Sequence, residues 1–152
     1  MKNESGRSLV EMLGVLAVGA IMTAAAYGTY NMLRTNQIRS FALSEMEQIA
    51  RNTKILLETR GDYTGVSVEY LIKSGALTDD TAPMGGPDWS VTSGFRGETF
   101  SINLTNLTHS DCVYFATKQI NWAESVSINK LETGGPESCM SAPRNLVSFN
   151  VK

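Results

Sequence analysis

Glu11 makes the strongest chemical demand in this 152-residue chain. It stands five residues after Gly6, behind Arg7-Ser8-Leu9-Val10, and is followed by 22 successive uncharged positions, Met12 to Leu33. An acidic side chain at a membrane helix centre costs about 2.5 to 3.5 kcal/mol, less near the end. A carboxylate at the mouth of an apolar helix therefore calls for a partner. A second candidate chemistry lies in Cys112 and Cys139, the two cysteines of the chain. Downstream of an export-type segment they suggest a disulfide in an oxidising compartment, two free buried thiols in a cytosolic domain being the alternative. Closing that loop of about 27 residues would contribute roughly 3.5 kcal/mol in the chain-entropy model.

The remaining reactive side chains point away from catalysis. The one histidine, His109, sits in His109-Ser110-Asp111, and adjacent residues cannot converge as a catalytic triad; it reads as a helix-entry residue. Asp62, Asp79 and Asp80 lack EF-hand spacing and read as solvated loop acids. No Gly-rich phosphate loop opens a helix, and no Cys/His metal spacing occurs. An enzyme, a cofactor and a metal are therefore not expected. Net charge is −2 and the pI about 5.4, so nothing global recruits nucleic acid or acidic lipid. Asn103-Leu104-Thr105 and Asn106-Leu107-Thr108 match glycosylation sequons but are discounted. Trp89 and Trp122 are expected in core or rim packing.

The elements that must position these groups follow from hydropathy and punctuation. As a helix, Met12–Leu33 spans roughly 33 Å, enough for a ~30 Å hydrocarbon core. Three readings compete: membrane anchor, cleaved secretory signal and buried core helix. Lys2 and Arg7 with Ala24-Ala25-Ala26 fit a signal peptide whose product begins at Tyr27. Against it, Glu11 interrupts the join between basic and apolar parts, and the run continues through Tyr27, Tyr30, Met32 and Leu33. A core helix is disfavoured because the segment is apolar on every side.

No proline occurs before Pro83. Ile38, Ala42, Met46, Ile49, Thr53, Leu56 and Leu57 recur at three- and four-residue steps, with Phe41 alongside. Arg39, Glu45, Glu47, Gln48, Arg51, Asn52 and Lys54 mostly take the remaining surface, and Gly61-Asp62 supplies a stop. One helix from Ser8 to Arg60, on the order of 80 Å long, is the expectation. Beyond it, Ser67 to Leu77 predicts a short helix ended by Gly75. Asp79 to Pro83 and Met84-Gly85-Gly86-Pro87 predict loops. Trp89 and Val91 begin a strand, Ser93 to Gly97 a hairpin turn, and Phe100, Ile102 and Leu104 alternate along the returning strand. Thr108–Asp111 caps a helix carrying Cys112, Val113, Ala116 and Ile120. Val126 and Ile128, then Val147, Phe149 and Val151, suggest further strands. The fold class is α+β: three to five antiparallel strands laid on the second half of the long helix.

Read together, the glycine, the glutamate five residues later, the short basic-polar start, the apolar run and the continuing amphipathic helix resemble a type IV pilin precursor. The C-terminal half resembles the type IVb branch in its short helix and acidic-proline loop, its Gly-Gly…Trp segment before a hairpin, and its cysteine-bearing helix, second cysteine and final strand. The resemblance implies cleavage by prepilin peptidase between Gly6 and Arg7, making Glu11 the fifth mature residue. Arg7 replaces the usual phenylalanine or methionine at the new N-terminus, where methylation occurs in the family. The usual mid-helix proline is absent, leaving Gly14 and Gly19 as the places where the helix could extend.

The implied organisation is a leader (1–6), a hydrophobic transmembrane and assembly helix (7–33), the amphipathic half of the same helix (34–60) and a globular domain (61–152) with a Cys112–Cys139 disulfide bounding an exposed region. The implied function is a structural subunit that polymerises with itself into a pilus-like filament, Glu11 pairing with a neighbour's α-amine. A minor pilin, a pseudopilin of type II secretion and a membrane-anchored or secreted binding module are the alternatives. The implied partners are prepilin peptidase, the pilus assembly platform, minor pilins and, before assembly, the bacterial inner membrane, crossed once with the N-terminus cytoplasmic. After assembly the chain would be extracellular.

Overall fold

The computed structural model describes residues 4–85, 88–132 and 134–152, with side chains from Ser8 onward. Lys2 and the Gly86-Pro87 part of the loop lie outside the described residues. The first element, α1 (Glu4–Glu58), is a single 55-residue helix, beginning before Ser8 and ending before Arg60. It stops where Arg60 and Gly61 turn their amides back onto the Leu57 carbonyl at 3.0 and 3.1 Å, with Gly61 in the left-handed region at φ 78°.

The chain divides between Ile38 and Arg39 into two compact units. In the first, every side chain from Ser8 to Ile38 is exposed. In the second, α1 buries Ala42, Met46, Ile49, Ala50, Thr53 and Leu57, a stripe at helical spacing. The expected stripe is broader than the one formed. Leu56 is half-buried, while Ile38 and Phe41 stay exposed. At 100° per residue Phe41 lies about 130° round from the centre of the buried face, too far to reach the core. Arg39, expected at the surface, is largely buried instead.

The sheet of the second unit comprises β1 (Trp89–Ser93), β2 (Phe100–Leu107), β3 (Ser125–Ile128) and β4 (Asn145–Val151). Its order is β1-β2-β4-β3 with every neighbour antiparallel, so the last strand enters between its predecessors. Register brings Val91 opposite Ile102, Ile102 opposite Phe149 and Val147 opposite both Leu104 and Ile128. Side chains alternate along a strand, so these residues with Phe100 and Val151 form one apolar face. That face shares a core with Met46, Ile49 and Leu57 of α1 and with Leu71, Phe115 and Cys112. Phe115 and Trp122 meet the Phe149 ring at centroid distances of 5.9 and 5.4 Å.

Both short helices end sooner than their apolar residues suggest. α2 (Val68–Lys73) is capped by the Ser67 hydroxyl, which accepts from the Tyr70 amide at 3.1 Å. Its end is a Schellman turn: the Gly75 amide donates to Ile72 and that of Ala76 to Leu71, with Gly75 at φ 78°. The expected extension to Leu77 is thus replaced by a cap. α3 (His109–Thr117) starts at the Thr108 cap as expected. Lys118 turns extended at ψ 132° and ends it, leaving Ile120 on the following loop, where it still packs on the core.

The β1–β2 connection depends on Gly97. Its φ is 73°, and a Cβ there would fall 2.4 Å from the Thr64 hydroxyl, because the Tyr63 amide donates to the Gly97 carbonyl at 2.8 Å. Gly97→Ala is expected to lower stability by about 1–3 kcal/mol, read as a fall in thermal midpoint.

Tyr63 packs on Phe100 with ring centroids 4.8 Å apart and the rings tilted by 51°. Burial, reinforced by the Glu58 carboxylate, raises its phenol above the ordinary value. The folded chain therefore holds this proton more tightly than the unfolded one. The associated stability is complete below about pH 10 and is lost as pH rises through the folded value. Tyr63→Phe should flatten that part of the alkaline stability profile, measured by denaturant titration above pH 9.

Candidate assembly helix and disulfide-bounded region

The first unit is a helix whose apolar side chains, among the described residues, are exposed. Leu13, Leu16, Ile21 and Met22 are 58–70% exposed. An 18-residue window of this helix has a mean hydropathy of 2.0, long and apolar enough to cross a membrane. Its threonine hydroxyls are satisfied by the helix itself: Thr23 donates to the Gly19 carbonyl at 2.8 Å, Thr29 to Ala25 at 2.9 Å and Thr35 to Asn31 at 3.0 Å. Self-satisfied hydroxyls suit an environment without water.

Glu11 is exposed on this helix, one turn after the Gly6-Arg7 peptide. Gly14 lies on the same side as Glu11, three residues on, whereas Gly19 lies about 140° from Gly14 round the axis. The two glycines therefore do not form one face. A Cβ added at Gly14, Gly19 or Gly28 would meet nothing within 4 Å. Packing within the monomer gives no reason for these residues, each of which weakens the helix by up to about 1 kcal/mol relative to alanine. Small residues that a lone helix does not need suit close approach of another helix.

In the second unit, Cys112 in the first turn of α3 is bonded to Cys139, Cα to Cα 5.9 Å, across 27 positions. Cys139 follows a 3₁₀ turn, Pro136–Ser138. Both are buried. The segment between the cysteines carries β3 and then returns toward β4.

A polar cluster that the sequence did not disclose holds this return in place. Asn145, fully buried, donates from Nδ2 toward the carbonyls of Met140, Ala142 and Leu107 at 2.9, 3.1 and 3.2 Å, and its Oδ1 accepts from the Met140 amide at 2.7 Å. Asn129, left-handed at φ 51°, donates to the Ser138 carbonyl at 2.7 Å and to Asn145 Oδ1 at 3.2 Å, while its own Oδ1 accepts from the Leu146 amide. One available signal was an asparagine opening an otherwise alternating apolar strand.

A second such contact anchors α3. Arg39 donates from Nε to Asp111 Oδ1 at 2.8 Å and from Nη2 to Ser110 at 3.0 Å, with its guanidinium 5.2 Å from the Tyr114 ring. Their side chains are only 13% and 15% exposed, so this pair is more shielded from solvent than the i,i+4 pair Glu69–Lys73. Asp111 also closes the cap, its amide donating to Thr108 while its Oδ2 accepts from the Thr108 hydroxyl.

The other candidate residues serve loops and edges. His109 opens α3, its Nδ1 3.3 Å from the Met140 carbonyl. Asp62 and Asp79 accept from the amides of Thr64 and Thr81, two residues on. The Thr81 hydrogen bonds hold the Asp79 carboxyl below its ordinary range. Asn103 donates to Ser90 and Thr92 and Asn106 to Asp88, so both sequon amides are engaged. Trp89 and Trp122 are half-buried against the core, Trp89 donating to the Asp80 carbonyl at 2.8 Å. Among the described residues no group of three or more His, Cys, Asp or Glu could hold a metal ion.

Comparison with known proteins locates the fold. No protein-family model matches the sequence, and no curated protein does either. Among solved structures, the chain is similar to TcpA, a type IV pilin from Vibrio cholerae El Tor biotype. The TM-score is 0.62 at 12% sequence identity, over 76% of this chain and 99% of the chain in that crystal structure. The architecture of a long N-terminal helix followed by an antiparallel sheet is that of a type IV pilin.

Proposed function

We propose that this chain, which has the fold of a type IV pilin, is the precursor of a subunit of a type IV pilus-like filament. The observation that carries the proposal is an exposed apolar helix segment with the carboxylate of Glu11 at the mouth of its uncharged run, in a chain with this fold. In this reading residues 7–33 form the membrane and assembly helix and residues 61–152 the globular domain. The chain waits in the bacterial inner membrane with Arg7 on the cytoplasmic side. Prepilin peptidase cuts between Gly6 and Arg7. The apolar helices then exchange lipid for one another, Gly14 and Gly19 admitting close neighbours, and the chain joins an extracellular pilus through the assembly platform.

Glu11 pairs with the α-amine of Arg7 on an adjacent subunit. A buried carboxylate missing its partner costs several kcal/mol, so the contact sets axial register as well as attraction. Repeating one heterologous contact that does not close on itself generates an open helix. The disulfide and the Asn145 cluster hold the exposed 112–139 region in one shape on such a filament.

The mature N-terminus tests the proposal. Intact-mass analysis of the membrane-extracted chain should give a species beginning at Arg7. A chain beginning at Tyr27 would establish secretory cleavage and end the filament reading. An uncut chain would leave a membrane-anchored binding module.

A further inference from the structure

The uncharged run is longer than its apolar part. From Met12 to Ala26 the only polar side chain is Thr23, whose hydroxyl already donates to the Gly19 carbonyl. That stretch covers about 22 Å as a helix, short of a ~30 Å hydrocarbon core. The next turn carries Tyr27 and Tyr30, 68% and 62% exposed, and Arg34 is the first cation after them. Tyrosine pairs an apolar ring with a polar tip and collects at the headgroup level of a bilayer. Tyr30 lies about 28 Å beyond Glu11 along the axis, close to one hydrocarbon thickness. At the other end, Cβ atoms tilt toward the helix N-terminus, so the Glu11 side chain reaches back toward Arg7, away from the apolar run.

Resting on the membrane-anchor reading above, we infer that Tyr27 and Tyr30 set the depth of the helix against the outer headgroups and thereby hold Glu11 in the inner headgroup layer, hydrated until assembly. Sliding the helix inward drags the phenol tips and then Arg34 into hydrocarbon. Sliding it outward draws Glu11 in. The same register leaves the Gly6–Arg7 peptide about 6 Å beyond Glu11, in water that a peptidase can reach. It also assigns the moment at which the carboxylate loses its water. That happens when the helix leaves the bilayer for its neighbours, so the need for an ammonium partner acts at assembly and not during residence in the membrane.

Two registers give different centres for the span. If the charges Glu11 and Arg34 alone bounded it, the midpoint would fall between Met22 and Thr23. With the tyrosines as the outer boundary it falls near Ala20. The test places single nitroxide labels at Val10, Val18, Ala20, Thr23, Gly28 and Leu33 of the full-length chain in phosphatidylcholine vesicles; the native disulfide leaves no free thiol to compete. Depth is read as collision with oxygen against collision with a nickel chelate. Oxygen preference should peak at Ala20, with the nickel chelate favoured at Val10 and Leu33. In Tyr27→Leu/Tyr30→Leu the peak should move by two to three residues, to Thr23. A parent profile already centred on Thr23, or a peak that stays at Ala20 in the double variant, overturns the inference while leaving the anchor intact. Absence of oxygen preference at every position overturns the anchor reading itself.

Discussion

Glu11→Ala should give a chain that folds and enters the membrane but does not polymerise. In the proposed filament each subunit buries one carboxylate against one α-amine. Removing the acid leaves an ammonium group desolvated without its partner, a loss of about 3–5 kcal/mol per contact. At 1.4 kcal/mol per tenfold this lowers the association constant at each step by at least a hundredfold. Membrane residence should be unaffected or improved, because alanine costs less in a bilayer than a carboxylate. Glu11→Gln separates charge from hydrogen bonding: if the ion pair is what matters, glutamine should assemble little better than alanine. The measurement is the ratio of sheared filament to membrane-bound subunit, with circular dichroism confirming that the domain is folded. Filaments at the parental level in Glu11→Ala would sink the pairing and leave Glu11 without an assembly role.

The second large effect is expected far from that helix. Asn145→Ala should destabilise the second unit by roughly 2–4 kcal/mol, comparable with losing the disulfide, because it removes at once the partners of four backbone groups, the Leu107 carbonyl among them buried and the rest part-buried. The Met140 amide, bonded to Asn145 Oδ1 at 2.7 Å, loses its acceptor, and the carbonyls of Met140, Ala142 and Leu107 lose a donor. An unsatisfied buried group such as the Leu107 carbonyl costs about 1–3 kcal/mol, and the part-buried groups of Met140 and Ala142 cost less because water can reach them. The disulfide acts mainly on the unfolded chain, whereas the asparagine acts on the folded one, and because Asn145 is bonded to Met140, next to Cys139, the two losses should couple and sum to less than their separate values. Equilibrium unfolding of the full-length chain in detergent, oxidised and reduced, followed by tryptophan emission, measures both. A loss under about 1 kcal/mol for Asn145→Ala would show that water replaces the amide and that the cluster does not hold the return to β4.

What could be read from residues alone was whatever local chemistry decides. The run Met12–Leu33 is helical and apolar by composition, and no proline interrupts the chain before Pro83. The Thr108 cap was legible because a cap needs only a hydroxyl and the amide three residues on, whereas Ser67, expected inside its helix, caps it instead. The alternation in Phe100-Ile102-Leu104 and Val147-Phe149-Val151 announced two one-sided strands. Ile120 was misassigned because its spacing from Cys112 and Ala116 fits a helix; nothing local signalled the extended turn at Lys118. The same is true of Phe41 and Ile38, apolar residues at plausible steps whose exposure depends on how wide a strip the sheet can cover. Arg39 looked like an ordinary surface cation until α3 brought Asp111 and Tyr114 against it.

The functional candidates divide along the same line. Glu11, Gly14 and Gly19 sit on one helix, so spacing alone specifies how they lie relative to one another, and the sequence carries that part of the proposal by itself. The cysteine pair was legible as an expectation; the tertiary structure brings Cys112 and Cys139 to a Cα separation of 5.9 Å. Asn129 and Asn145 acquire meaning only when a strand from the end of the chain is inserted between β2 and β3. Local periodicity records which face of an element is apolar, because that depends on neighbours within a turn or a pleat. It does not record which distant element covers that face, because strand order is chosen by the summed burial of the whole core. The carboxylate at the mouth of the apolar helix therefore belongs to the sequence, and the rigid scaffold around the disulfide belongs to the fold.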